Sequence, residues 1–168
     1  MPWGDPQGEA LRVAQQDEIS ARYGVPDSEP GPKPTAADIT VFLVAFDVDD
    51  HGTEHAVGCG GLRTLDPDHG EIKRMYVVPE RRGTGVSTAI LTALEGEARG
   101  RGWSRVVLET GDEQPDAMRF YEREGYTLIP NFGYYADSCL FSRQRCAFRC
   151  SPASATRRRH RSPPFSSR

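Results

Sequence analysis

The chain has 168 residues, 37% of them hydrophobic, and a formal net charge of −3 at pH 7. That length can bury one core, and nothing repeats at a fixed period, so a single domain is expected rather than a solenoid. No run of about 18 apolar residues is present to cross a membrane, and Met1-Pro2-Trp3-Gly4-Asp5 lacks the basic start and apolar stretch of a signal peptide, which points to a cytoplasmic location. The charge is unevenly spread. Residues 142–168 hold eight of the 21 Lys and Arg residues and none of the 24 acids, leaving 13 bases against 24 acids, a net of −11, in residues 1–141. Such a body attracts small cations and repels a nucleic-acid backbone, whereas the arginine tail does the reverse. The four cysteines, Cys59, Cys139, Cys146 and Cys150, and the four histidines lack metal-ligand spacing, so reduced thiols and no metal are expected.

Along the chain, residues 6 to 24 predict a helix with Leu11, Ala14 and Ile19 at helical spacing, ended by Gly24 and Pro26. A proline-rich connection follows through Pro34. Ile39 to Phe46 and Ala56 to Arg63 read as two strands joined by a polar turn at Asp49, Asp50, His51 and Gly52, which makes a hairpin. A third strand runs from Glu71 to Val78. A helix from near Thr84 to Gly100 or Gly102 buries Val86, Ala89, Ile90, Ala93 and Leu94 on one stripe. Ser104 to Thr110 is a strand, Pro115 to Glu124 a short helix, and Tyr126 to Ile129 begins another strand. This order implies a mixed α/β sheet flanked by helices. Strand alternation places Glu71, Lys73 and Met75 on one face and Ile72, Arg74 and Tyr76 on the other.

The junction from Arg74 to Leu91 is the most informative stretch. A β-rich run stops at Pro79, and a turn bearing Gly83 and Gly85 opens an amphipathic helix. The first amides of such a helix have no carbonyl partner within it and sit at its positive end, so the junction can bind an anion, with a phosphate the expected guest. A P-loop would need a lysine that is missing here, and the dinucleotide fingerprint would need a third glycine. The run Arg82-Gly83-Thr84-Gly85-Val86-Ser87 resembles the coenzyme A signature of the GNAT acetyltransferase superfamily, with Ser87 standing where a small apolar residue is usual. Phe120-Tyr121-Glu122-Arg123-Glu124-Gly125-Tyr126 resembles the late motif of that family, with Gln114 seven residues before Tyr121 and Ala117 between them. Val57-Gly58-Cys59-Gly60-Gly61-Leu62 and Gly70-Glu71-Ile72-Lys73-Arg74-Met75-Tyr76-Val77 are similar to its third and fourth strands. The similarity covers roughly residues 9 to 135.

The resemblance implies the GNAT acyltransferase fold, a mixed and mostly antiparallel sheet flanked by helices. Its first strand is short or missing here, and its last strand is in doubt. It further implies an acetyl-CoA-dependent N-acetyltransferase acting on a primary amine of a small molecule or peptide through a ternary complex. Acetyl-CoA would be a co-substrate, and no metal would be needed. By resemblance, the backbone of Met75, Tyr76 and Val77 bonds the pantetheine arm beside a bulge, and Arg82, Gly83, Thr84, Gly85, Val86 and Ser87 receive the pyrophosphate. Arg81 and Arg82 both flank that turn, and Arg82 is favoured. Gln114 either bonds the coenzyme or caps the helix that follows. Glu71 stands where several family members keep a catalytic glutamate. An alkylammonium of pKa near 10 is about one part in a thousand free amine at pH 7, so a base helps; Glu109 and water are the alternatives, and Glu71 could instead pair with Lys73 or Arg74. Tyr121 is the candidate general acid for the leaving thiolate, or else a core aromatic beside Ala117 and Phe120. Tyr134 and Tyr135 either line the acceptor pocket or pack in a strand.

A boundary is drawn at 141. Residues 1–141 form the catalytic domain, and residues 142–168 form an Arg/Ser/Pro-rich tail that cannot bury a core and is expected to be disordered. The tail is either an anionic tether or sequence altered past the end of the ancestral fold. Three functions are weighed: the acetyltransferase, an acetyl-CoA-binding protein without turnover, and a nucleic-acid binder acting only through the tail. No membrane partner is expected, and a homodimer is left open.

Overall fold

The computed structural model describes residues 1–24, 32–111, 113–130, 132 and 145–150. Helix α1 (Pro6–Tyr23) starts where Asp5 accepts hydrogen bonds from the amides of Gln7 at 3.0 Å and Gly8 at 3.2 Å, with a proline in the first turn. It ends at Gly24, which takes the left-handed conformation at φ 66°. Strands β1 (Ile39–Val48) and β2 (Glu54–Asp66) form the expected hairpin, each longer than its apolar pattern alone suggests. The Asp49 carboxylate organises their turn by accepting from the amides of His51 and Thr53, both at 2.9 Å. Strand β3 (His69–Val77) then leads through a single 3-10 turn at Pro79–Arg81 into helix α2 (Val86–Gly100). Strand β4 (Arg105–Gly111), helix α3 (Pro115–Arg123), β5 (Thr127–Ile129) and β6 (Arg145–Cys150) complete the described elements.

The strands form one mixed sheet in the order β1-β2-β3-β4-β6-β5, in which the β3–β4 pair is parallel and its other pairs are antiparallel. The parallel pair requires a crossover, which α2 supplies. No strand precedes α1 among the described residues. The boundary at 141 is corrected by β6: residues 145–150 pair with both β4 and β5 and so belong to the sheet. Composition hid this strand, because two arginines and two cysteines interrupt any apolar alternation. Residues 151–168, like Tyr134 and Tyr135, lie outside the described residues.

Each face of the sheet packs its own cluster. One side buries Leu62, Ile72, Ile90, Leu94, Val106 and Leu108 with α2, and the other buries Leu11, Phe42 and Cys59 under α1. Burial of the Cys59 thiol pushes its pKa up to about 12, which marks it as packing rather than a nucleophile. The glycines of β2 let α2 come close. A Cβ at Gly60 would stand 2.7 Å from Met75 Sδ and 2.9 Å from Leu94 Cδ1.

Two features open the sheet in the middle. The β3–β4 ladder stops at Ile72 and Leu108, while β3 runs on to Val77 beside β2 and β4 runs on to Gly111 beside β6. Within that stretch the β2–β3 register shifts, and Arg74 takes φ 58°, the one positive φ of a non-glycine among the described residues. This bulge corrects the expected alternation. Met75 does not share a face with Glu71 and Lys73; it packs with Ile90 and Leu94 on the α2 side, because the extra residue at Arg74 resets the two-residue period.

Candidate active site

A cleft of about 700 Å³ opens where β3 parts from β4, walled by α1 on one side and by α3 and the start of α2 on the other. Met75, Tyr76, Val77, Arg82, Gly83, Gly85, Ser87, Gln114 and Tyr121 all line it. These are nine residues singled out from the sequence, drawn from four separate segments. Three others do not line it. Thr84 turns its hydroxyl to Arg81 O at 2.7 Å, Val86 packs against the core, and Glu71 is enclosed elsewhere.

The turn into α2 has the features an anion needs. Gly83 and Gly85 take φ 75° and 93°, and a Cβ at either would meet nothing within 4 Å, so the backbone is open on that side. Gly85 is the N-cap and offers no side-chain oxygen, so the first amides of α2 are not capped by it. The dipole of a 15-residue helix points its positive end at this spot. The two neighbouring arginines separate cleanly. Arg81 pairs with Asp47 of β1, whereas Arg82 faces the cleft, its Nε donating to Val77 O at 3.0 Å and its Nη2 lying 2.5 Å from Glu18 Oε2.

Tyr121 is buried at 6% exposure beneath the cleft floor, with Phe120 and Tyr126 edge-on to its ring at centroid separations of 5.1 and 5.5 Å. Burial pushes its phenol well above the ordinary tyrosine range, so the hydroxyl keeps its proton throughout the neutral region. Gln114 stands at the N-cap of α3 but makes no capping hydrogen bond with its side chain; that side chain lines the cleft instead.

Glu71 is fully buried on the opposite sheet face from Ile72. Arg63 Nε lies 2.5 Å from its Oε2, and Lys73 Nζ lies 2.7 Å from its Oε1. Pairing with Lys73 is therefore the alternative that the geometry favours. Glu109, the first β4 residue past the end of the ladder, lies 4.0 Å from the same Lys73 Nζ. A substrate ammonium could reach Glu71 only if one of its two cations gave way.

Sequence reasoning missed α1 as a wall of the site. Gln15 donates to Met75 O at 2.9 Å, and Glu18, Ile19 and Arg22 line the cleft beside it. The signal was present as a one-turn spacing, since residues 15, 18, 19 and 22 share one face of a helix. Nothing local, however, says what that face meets. Among the described residues no three His, Cys, Asp or Glu side chains gather as a metal site, and no helix is long and apolar enough to cross a membrane.

The model of the Acetyltransferase (GNAT) family matches residues 13–126. The chain is 38% identical over 86 residues to an IAA acetyltransferase of Azospirillum brasilense, covering 50% of this chain and 56% of that protein. It is 42% identical over 57 residues to an aminoalkylphosphonate N-acetyltransferase of Salmonella typhimurium, covering 34% and 37%. The chain thus spans about half or less of the length of these curated relatives. Among solved structures, a Klebsiella pneumoniae chain proposed to be an acyl-CoA N-acyltransferase superposes with a TM-score of 0.67 at 26% identity, covering 90% of this chain and 93% of that one. A GNAT family acetyltransferase of Elizabethkingia anophelis with acetyl-CoA bound shares the fold at a TM-score of 0.51 and 16% identity, covering 59% and 71%.

Proposed function

The chain belongs to the GNAT acetyltransferase family, and from that premise we propose that it transfers the acetyl group of acetyl-CoA to a primary amine of a small molecule or peptide within a ternary complex. The observation that carries this reading is the open glycine turn at the start of α2. It places uncapped helix amides, Arg82 and a strand edge that, among the described residues, no strand pairs on the β4 side along one cleft. The amides of the turn and Arg82 would hold the pyrophosphate. On the side of β3 that faces the parted β4, the backbone of Met75 to Val77 can pair with an extended arm as an added strand, and one of its amides can polarise the thioester oxygen.

The reaction makes a bond from the amine nitrogen to the acetyl carbon, breaks the bond from that carbon to sulfur, and moves one proton from nitrogen towards sulfur. Tyr121 suits the second half of that proton traffic, because burial keeps its hydroxyl protonated and the residue lines the cleft. For the first half, the double ion pair leaves Glu71 poorly placed, and Glu109, 2% exposed and 4.0 Å from the same Lys73 where the strands part, would act through water. The acidic body, −11 over residues 1–141, favours an acceptor that is itself cationic.

Purified protein with acetyl-CoA and a panel of diamines, amino acids and amino-terminal peptides tests the reading. Free thiol should appear only when an effective amine is present, and the rate should fall as salt rises. Coenzyme binding without thiol release across the whole panel would leave a binding protein without turnover, and the transferase reading would be withdrawn.

A further inference from the structure

Glu18 occupies a position that no acceptor or coenzyme role explains. Its Oε1 lies 2.7 Å from Arg22 Nη2, one turn along α1, and its Oε2 lies 2.5 Å from Arg82 Nη2, across the cleft and 64 residues away in the chain. Burial acts to raise its carboxyl pKa, but the hydrogen bonds from Arg82 and Arg22 outweigh this and hold it below the usual carboxylate range, so Glu18 is an anion at neutral pH. Arg82 in turn is held from three directions: Val77 O takes its Nε, Glu18 takes its outer edge, and its guanidinium stands 5.7 Å from the centre of the Tyr76 ring. Gly83 follows directly, so Arg82 adjoins the open turn.

We propose that Glu18 is a competing carboxylate, which holds Arg82 against α1 until the pyrophosphate of the coenzyme takes that guanidinium over. The proposal rests on the coenzyme-binding reading and adds a specific antagonist to it. With Nε committed to Val77 O, the pyrophosphate can draw only on Nη1 and Nη2, and Glu18 already holds Nη2, so the two anions meet at one guanidinium. A carboxylate left beside the bound pyrophosphate would repel it, so coenzyme binding must break the Glu18–Arg82 pair or bear that repulsion. The exchange releases α1 from the phosphate turn at Glu18 while the bond from Gln15 to Met75 O remains, so α1 loosens at its C-terminal half, beside the cleft.

The test is Glu18→Gln, which keeps the shape and removes the charge. Coenzyme A binding measured by calorimetry at low salt should tighten by about threefold to tenfold, and the gap should narrow as salt rises. Without coenzyme, the midpoint of thermal unfolding should fall by about 1–3 °C, because a partly exposed ion pair is lost. In an Arg82→Gln background the same substitution should tighten binding less, because the contested guanidinium is gone. Equal or weaker affinity in Glu18→Gln would overturn the proposal and make Glu18 a residue that orients Arg82. Absence of coenzyme binding in the wild-type chain would overturn both this proposal and the function it rests on, whereas equal affinities overturn this one alone.

Discussion

Glu71→Gln is expected to destabilise the fold by about 3 kcal/mol, because it removes the carboxylate that lies between Arg63 and Lys73 and leaves Lys73 with the more distant Glu109 at 4.0 Å. The estimate sits at the low end of the range for breaking buried ion pairs, since Arg63 retains 22% exposure and water can take up part of its charge. For a chain of this size that corresponds to a fall of roughly 6–12 °C in the unfolding midpoint. The loss should appear with no substrate present. A direct base would behave differently: its removal would leave the midpoint nearly unchanged and slow turnover mainly near neutral pH, with recovery at high pH where the amine deprotonates unaided. Thermal unfolding and a pH profile of the same variant therefore decide between a structural glutamate and a catalytic one.

Tyr121→Phe is expected to lower turnover by roughly tenfold to a thousandfold with coenzyme affinity nearly kept, since the ring and its contacts with Phe120 and Tyr126 survive and only the hydroxyl goes. The wild-type phenol stays protonated well above neutral pH because burial disfavours its anion, so loss of this acid should cause no fall of the rate on the alkaline side through pH 9. Steady-state kinetics with separate values of kcat and KM checks this. Wild-type turnover in the variant would return Tyr121 to plain packing.

Much of the fold was legible because its elements are locally encoded. The apolar stripe of α2, the glycine end of α1 and the alternating strands of the hairpin each announce themselves within a dozen residues. The glycines of the phosphate turn were legible for the same reason, and Gly83 and Gly85 do take positive φ. The rest depends on contacts distant in sequence. The resemblance implied a bulge beside Met75 but not which residue makes it or its effect on alternation, and Arg74 moves Met75 to the other face of the sheet. Glu71 reads as a base when its strand is taken alone; its neutralisation requires Arg63 from β2, which only the register of the hairpin brings opposite. The face of α1 from Gln15 to Arg22 looks like an ordinary solvated helix surface until the cleft is assembled against it. The sixth strand was missed because its pairing with β4 and β5 is written in backbone geometry rather than in an apolar pattern.

The phosphate turn is the centre of the account, and heat protection by acetyl-CoA in the wild-type chain and in Gly85→Asp tests it most directly. Ligand at 100 times its dissociation constant should stabilise the wild type by about 2.7 kcal/mol, because the coenzyme binds only when β3, the turn and α2 are assembled. Gly85 sits at φ 93°, so the variant should unfold somewhat earlier on its own, and each protein is compared with its own ligand-free midpoint. The carboxylate placed against the pyrophosphate should remove most of the gain. A wild-type midpoint raised by several degrees with little or no rise in Gly85→Asp is the predicted result; an equal rise in both proteins would contradict the assignment of the coenzyme to this turn.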